Sequence, residues 1–496
     1  MSSVLEIIKD TKLTYEQKVL TLARHAEDSI DVLNIDEDVQ QYREEGIICD
    51  LFEGHAPYRP RYIVPDYAKF MAQGSEFLGL EPPKDIWEAT HNLLILYKHV
   101  PSISSFPVYI GNIDYLLEPF VRDEKEAYQA IKLFMKHIDR TVTDSFCHAN
   151  IGPRETKAGK LILQAQRELQ TSIPNITIKY SEETSEAFAI DAINTAMITA
   201  KPSFANSAIY TKDFGGDYAI VSCYNGLYIG GGSFTLVRLN IAGLAKKANS
   251  VEDFMERVLP DAADRMNRYI DERIKFIMEE SGFFESSFLV REGLIDKTRF
   301  SAMFGMFGLA EGVNYLLKAE SQIERFGHSE AANDLGESII AKLYAEVEKH
   351  DNPYCIISNK KLLLHAQVGI DSDKGISPGC RIPIGDEPEL PMHICQSARF
   401  HKYFASGIGD IFPFDETAKA NPKAILDIIQ GAFASGMRYF SLYGSDADVI
   451  RITGYLVKRS EMEALDRGEQ VLRDTVALGL GSVKNQKILE RKVQNI

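Results

Sequence analysis

The stretch Pro174-Asn175-Ile176-Thr177-Ile178-Lys179-Tyr180 alternates polar and apolar residues, which is the period of a β-strand. A helical stretch from Ser185 to Thr199 follows it, and Pro202 to Tyr210 is extended again. Strand, helix and strand at this spacing make a βαβ unit, so the chain is committed to an α/β fold with a mostly parallel, helix-covered sheet. Upstream, Val4 to about Asn34 is helical, and Glu37 to Glu53 continues that pattern with an acidic surface. Pro57, Pro60 and Pro65 then break the chain. Trp87 to His99 reads as an amphipathic helix that ends at Pro101, Ser102 to Tyr109 as an extended segment, and Glu124 to Thr141 as a further helix.

With 496 residues the chain can bury a large core. A net charge of −16 disfavours nucleic acid and anionic membrane as partners, because both need clustered Lys and Arg. There is no 18-residue apolar run and no basic-then-apolar leader, so the expected location is cytoplasmic. The six cysteines are scattered without a Cys-x-x-Cys, which fits reduced thiols better than a disulfide framework or a ribbon-type zinc site.

Two short stretches carry chemistry. Val449-Ile450-Arg451-Ile452-Thr453-Gly454-Tyr455-Leu456-Val457 is a β-prone run interrupted by one glycine, with 42 residues after it. On its own that glycine marks a bulge or a bent edge strand. Asp217-Tyr218-Ala219-Ile220-Val221-Ser222-Cys223-Tyr224-Asn225-Gly226 is a brief apolar run ending in a thiol and a turn, and on its own Cys223 is a buried strand cysteine.

Arg451-Ile452-Thr453-Gly454-Tyr455 resembles the Arg-x-x-Gly-Tyr loop of the glycyl radical enzymes, among them pyruvate formate-lyase and anaerobic ribonucleotide reductase. The Asp217–Cys223 run and Arg238-Leu239-Asn240-Ile241-Ala242 resemble the lyase's cysteine loop and the segment after it. Tyr210 to Phe214 is similar to a segment of the reductase, and Phe304 to Asn314 to the Gly-Leu-x-Glu stretch of both. The order of these segments, and Gly308-Leu309-Ala310-Glu311-Gly312-Val313-Asn314, most resemble the YjjI-type branch.

This resemblance implies a ten-stranded α/β barrel of two parallel five-stranded halves, with the cysteine loop threaded through its centre. It would comprise an N-terminal helical portion (1–100), the barrel (101–435) and a C-terminal glycyl radical domain (436–496). Gly454 would store the radical, because an unsubstituted α-carbon can flatten and share the spin with its amide and carbonyl. Cys223 would form the thiyl that abstracts hydrogen from a small, anionic substrate. The family implies a homodimer with no tightly bound cofactor. Its radical would be installed by a separate activating enzyme that uses S-adenosylmethionine and an iron–sulfur cluster.

The remaining candidates narrow the reaction. Asn225 holds the place of the dehydratases' glutamate base and cannot take a proton, which disfavours that elimination. Ser222 replaces the first cysteine of the lyase, a poorer nucleophile. Beyond Gly454 there is no cysteine for the reductase's zinc site. Arg238 matches the lyase's carboxylate-binding arginine, with a surface arginine as the alternative. Cys147 is weighed as a redox partner of Cys223 against a plain core residue. Gly230-Gly231-Gly232 reads as a turn rather than a phosphate cradle, and Cys380, His393 and Cys395 as too irregular for a metal. A lyase on a 2-keto acid, a ribonucleotide reductase-like activity and a radical-dead scaffold stay open.

Overall fold

The fold is described from a computed structural model, which describes residues 4–50, 56–101, 106–367 and 373–496. In chain order its strands are β1 (Ile48–Asp50), β2 (Tyr62–Val64), β3 (His148–Ile151), β4 (Asn175–Tyr180), β5 (Ser203–Asn206), β6 (Tyr218–Val221) and β7 (Asn225–Tyr228). They continue with β8 (Gly231–Asn240), β9 (Phe300–Phe307), β10 (Leu363–Ala366), β11 (Asp410–Phe414), β12 (Tyr439–Gly444), β13 (Val449–Arg451) and β14 (Leu456–Lys458).

Ten of these strands form two five-stranded sheets. In the first, β8, β9 and β10 run parallel while β1 and β2 both pair antiparallel with β8. In the second, of order β11-β12-β5-β4-β3, the strands β3, β4 and β5 are parallel, as are β11 and β12, and β12 meets β5 antiparallel. The expectation that both five-stranded halves are parallel is therefore corrected. The sheets are mixed, and no strand ladder joins them among the described residues. The physical reason is that a crossover helix imposes parallel pairing only on consecutive strands, as in β3 to β5. Strands that reach their partner from far along the chain, such as β1, β2 and β12, escape that constraint.

The helices agree with their sequence signals where caps are clear. Asp85, Asp123 and Ser185 each accept first-turn amides, starting helices Ile86–Lys98, Glu124–Thr141 and Glu186–Thr199. Two expectations shift. The acidic helix stops at Glu44, because Gly46 takes φ +67° and Ile48–Asp50 pairs with β8; Leu51 to Glu53 lie outside the described residues. The segment extended to Tyr210 instead turns into helix Ser207–Phe214 after Asn206. Ser102 to Ser105 also lie outside the described residues, and beyond them Ile110 donates to the His148 carbonyl (2.9 Å). The portion 1–100 thus supplies β1 and β2 as well as helices, and the portion from 436 opens with β12 of the second sheet.

A large apolar core lies between sheets and helices. A smaller, aromatic-rich cluster of Tyr210, Tyr218, Tyr224, Tyr439 and Cys223 surrounds the two-stranded hairpin β6–β7, every residue of whose strands is buried. A third cluster packs β13 and β14 against the C-terminal helix Thr475–Gln486.

Candidate functional site

The β6–β7 hairpin turns through Ser222, Cys223 and Tyr224, and Ser222 takes φ +57°, a left-handed conformation that serine rarely adopts. The rest of the site keeps it there. Asn150 bonds both ways to the Ile220 backbone, its Nδ2 donating to the carbonyl (2.8 Å) and its Oδ1 accepting from the amide (2.9 Å). His148 Nδ1 lies 3.0 Å from the Ser222 carbonyl, Tyr439 donates to the Cys223 carbonyl (2.9 Å), and Tyr210 donates to that of Tyr224 (2.9 Å). Thr177 Oγ1 stands between His148 Nε2 and the Tyr439 hydroxyl, 2.8 Å from each. Every carbonyl of the turn is held, so the sulfur has a fixed position.

Gly454 lies in the buried loop between β13 and β14. Asn175 Nδ2 donates to its carbonyl (3.3 Å), while Asn175 Oδ1 accepts from Arg451 (3.0 Å). From the C-terminal side, Arg491 donates to the carbonyls of Arg451 (2.8 Å) and Ile452. Asn175, Thr177 and Lys179 are alternate residues on one face of β4, and Lys179 donates to the Tyr218 carbonyl at the base of the hairpin (2.7 Å). One strand face therefore holds the glycine loop, the cysteine turn and the hairpin root in succession. At roughly 3.3 Å rise per residue, the first two anchors are about 7 Å apart.

Burial pushes the Cys223 thiol up to about 12, with the Arg381 and Arg451 charges opposing it only in part. The group stays S–H, which is the form that can exchange a hydrogen atom. Its hydrogen points to Asn225 Oδ1 at 2.9 Å. Burial likewise holds His148 neutral, down to about 3.

Arg238 sits near the carboxyl end of β8. Its guanidinium makes a bidentate pair with Asp373 (2.6 and 3.0 Å) and lies 4.2 Å over the Phe307 ring. Cys147 precedes β3 and packs in the large apolar core, whereas Cys223 belongs to the hairpin cluster. Burial drives the Cys147 thiol upward. The triple glycine serves close packing: a Cβ at Gly231 would overlap the Arg299 carbonyl, and one at Gly232 that of Tyr62. Cys380 is buried, Cys395 exposed, and His393 bonds Asp410 (2.9 Å). Among the described residues, no three His, Cys, Asp or Glu side chains are grouped to hold a metal.

Asn175, Thr177 and Tyr439 had not been singled out as site residues from the sequence. One signal was present: β4 carries polar residues at 175, 177 and 179, yet no residue of the strand is exposed. A strand buried on both faces with a polar row faces an interior site rather than solvent.

Comparison with known proteins defines the class first, that of the glycyl radical enzymes. The family model described as "Glycyl radical enzyme YjjI-like" matches residues 13–494, and the chain belongs to that family of enzymes. It is 46% identical over 502 residues to a protein of Haemophilus influenzae, covering 100% of this chain and 98% of the relative. It is 44% identical over 491 residues to the YjjI protein of Escherichia coli, covering 98% and 95%. Neither name states a reaction. Among solved structures, an anaerobic ribonucleotide reductase superposes with a TM-score of 0.69 at 12% identity, covering 92% of this chain and 84% of that one. The B12-independent glycerol dehydratase of Clostridium butyricum gives 0.63 at 12%, covering 84% and 68%. At such identities the likeness is one of fold. No helix among the described residues is long and apolar enough to cross a membrane.

Proposed function

We propose that Gly454 stores a radical and that Cys223 spends it. The glycyl α-carbon radical takes the hydrogen atom from the Cys223 S–H, giving a Cα–H bond and a thiyl. The thiyl takes a hydrogen atom from a substrate carbon, restoring S–H and leaving a substrate radical. After rearrangement, the product radical regains a hydrogen from Cys223, and the thiyl recovers its own from Gly454. Each transfer exchanges one bond for another of similar strength, so geometry and exclusion of water govern the rate.

The observation that carries this reading is the shared face of β4, where Asn175 holds the Gly454 carbonyl and Thr177, through Tyr439, the Cys223 turn. The radical is installed by a separate S-adenosylmethionine-dependent activating enzyme, and the chain works as a homodimer in the cytoplasm, both in keeping with the family. A two-cysteine redox step gains no support from Cys147 in the large apolar core, nor a two-cysteine acyl relay from serine at 222.

The test needs no substrate. Anaerobic incubation with the activating enzyme is expected to give a glycyl doublet in electron paramagnetic resonance. In deuterium oxide the doublet should collapse to a singlet, because the thiol exchanges with solvent and passes deuterium to the Gly454 α-carbon. Activated Cys223→Ala protein that still collapsed in deuterium oxide would remove Cys223 from the pathway. Absence of any doublet would favour a radical-dead scaffold.

A further inference from the structure

Cα partners in a parallel ladder project to the same face of the sheet. Arg238 of β8, Gly305 of β9 and His365 of β10 are such partners, in one row across the first sheet. The row faces the cysteine hairpin: the His365 ring lies 5.7 Å from that of Tyr224, and His365 Nδ1 lies 3.3 Å from the Ser406 carbonyl. That carbonyl also accepts from the Gly226 amide of the hairpin (3.0 Å). Gly305 leaves the middle of the row without a side chain. One step further along the strands, Gln367 extends the ladder by donating its amide to the Met306 carbonyl (2.9 Å). These groups gather at the carboxyl ends of three parallel strands, where open α/β sheets bind ligands.

Two atoms here are left without partners among the described residues, His365 Nε2 and Gln367 Oε1, although both side chains are almost wholly buried, at 0% and 3% exposure. Buried polar atoms are nearly always bonded, so each such exception needs an explanation. Their chemistry is the same. A carbonyl only accepts, so His365 Nδ1 carries the ring hydrogen and Nε2 presents a lone pair. Burial keeps that ring neutral, down to about 3. Gln367 Oε1 is likewise an acceptor. The guanidinium in the row, Arg238, is already paired with Asp373, and the Arg61 guanidinium, whose charge reaches the His365 ring, lies 5.3 Å over the Tyr62 ring.

We propose that this face is the substrate subsite of the enzyme, and that His365 Nε2, seconded by Gln367 Oε1, accepts hydrogen bonds from the hydroxyls of a small uncharged diol or polyol. Two bare acceptors select a ligand with two donors, and their lone pairs repel a carboxylate, which can only accept. The subsite deepens the reading of Cys223 as the hydrogen-abstracting residue, since the hairpin that carries the sulfur forms one wall of it.

The experiment uses the full chain before activation, so its outcome is independent of whether a radical forms at Gly454. Protein labelled with nitrogen-15 in the histidine rings is titrated with propane-1,2-diol and, separately, with lactate. The His365 signal is assigned by its loss in His365→Gln, or by its selective shift in Gln367→Leu should the first variant fold poorly. The expected result is a saturable upfield movement of the His365 Nε2 resonance with the diol and at least a tenfold weaker response to lactate. Equal or tighter response to lactate would overturn the proposal in favour of an anion anchored at Arg238. An unmoved Nε2 resonance at saturating diol would overturn the subsite itself, with the roles of Gly454 and Cys223 untouched.

Discussion

Two buried turns, Ser222 to Tyr224 and Ile452 to Tyr455, are held in different ways. The cysteine turn is bound by side chains of β3, β4 and β12, with neutral groups such as His148, Thr177 and Tyr439, and it packs in the interior aromatic cluster. The glycine loop is tied to the sheet by Asn175 and gripped from the C-terminal segment by Arg491. Its apolar neighbours, among them Val449, Tyr455, Leu456 and Val476, form a cluster of their own. The cysteine is thus part of the framework, whereas the glycine belongs to a unit docked on it. The first arrangement suits the substrate-striking role proposed for Cys223, and the second suits the proposed access of an activating protein to Gly454.

The sharpest test of that division removes each centre in turn. Gly454→Ala should abolish the spin signal completely, while Cys223→Ser should leave the signal and abolish deuterium transfer to it. Both are read by electron paramagnetic resonance, and a surviving signal in the alanine variant would break the comparison at its root. Next, Tyr439→Phe frees the Cys223 carbonyl in the interior. A misplacement of the sulfur of about 1 Å would slow deuterium exchange at the glycine by about 10²-fold, with about 1–3 kcal/mol of stability lost to the unpaired carbonyl. Exchange timed by freeze-quench would check the first and chemical denaturation the second.

Arg491→Gln should act on the other turn alone. Charged hydrogen bonds of this kind contribute about 1.5–3 kcal/mol each, so backbone amides of 452–455 should exchange with solvent about tenfold faster or more, with those of 222–226 unchanged. Hydrogen exchange with mass spectrometry would show it, and equal acceleration in both turns would mean that they open together.

The smallest effect is a pH dependence. His148 has its folded pKa depressed to about 3 from an unfolded value near 6.5, so its contribution to stability is present above pH 6.5 and lost as pH falls toward 3. The expected slope is about 1.4 kcal/mol per pH unit for one such group. His148→Gln should flatten the unfolding free energy against pH, read by chemical denaturation, by that amount relative to the parent, and parallel curves would show that the ring is not held neutral.

Much of this was legible in the sequence wherever local signals and tertiary structure agree. The caps at Asp123 and Ser185 and the alternation of Asn175 to Tyr180 mark their elements directly. Strand direction was not legible for β1, β2 and β12, since the partner lies far away in sequence and no crossover helix fixes the sense. In the site, Gly454 and Cys223 stand out because few residue types can do the chemistry proposed for them. Tyr439 does not, because a tyrosine in a buried strand looks the same whether it braces a turn or fills a gap. The engagement of Arg238 by Asp373, 135 residues on, was equally invisible to local reading.

The polar row of β4 works as a ruler whose marks are two residues apart. Deleting or adding a single residue before Asn175 would roll the marks toward the helices and bring Ile176 and Ile178 inward, exchanging hydrogen-bonding groups for bare hydrocarbon along the whole edge. Point changes on this strand can be graded in their damage, but a shift in length cannot, so relatives that keep the chemistry must keep the count.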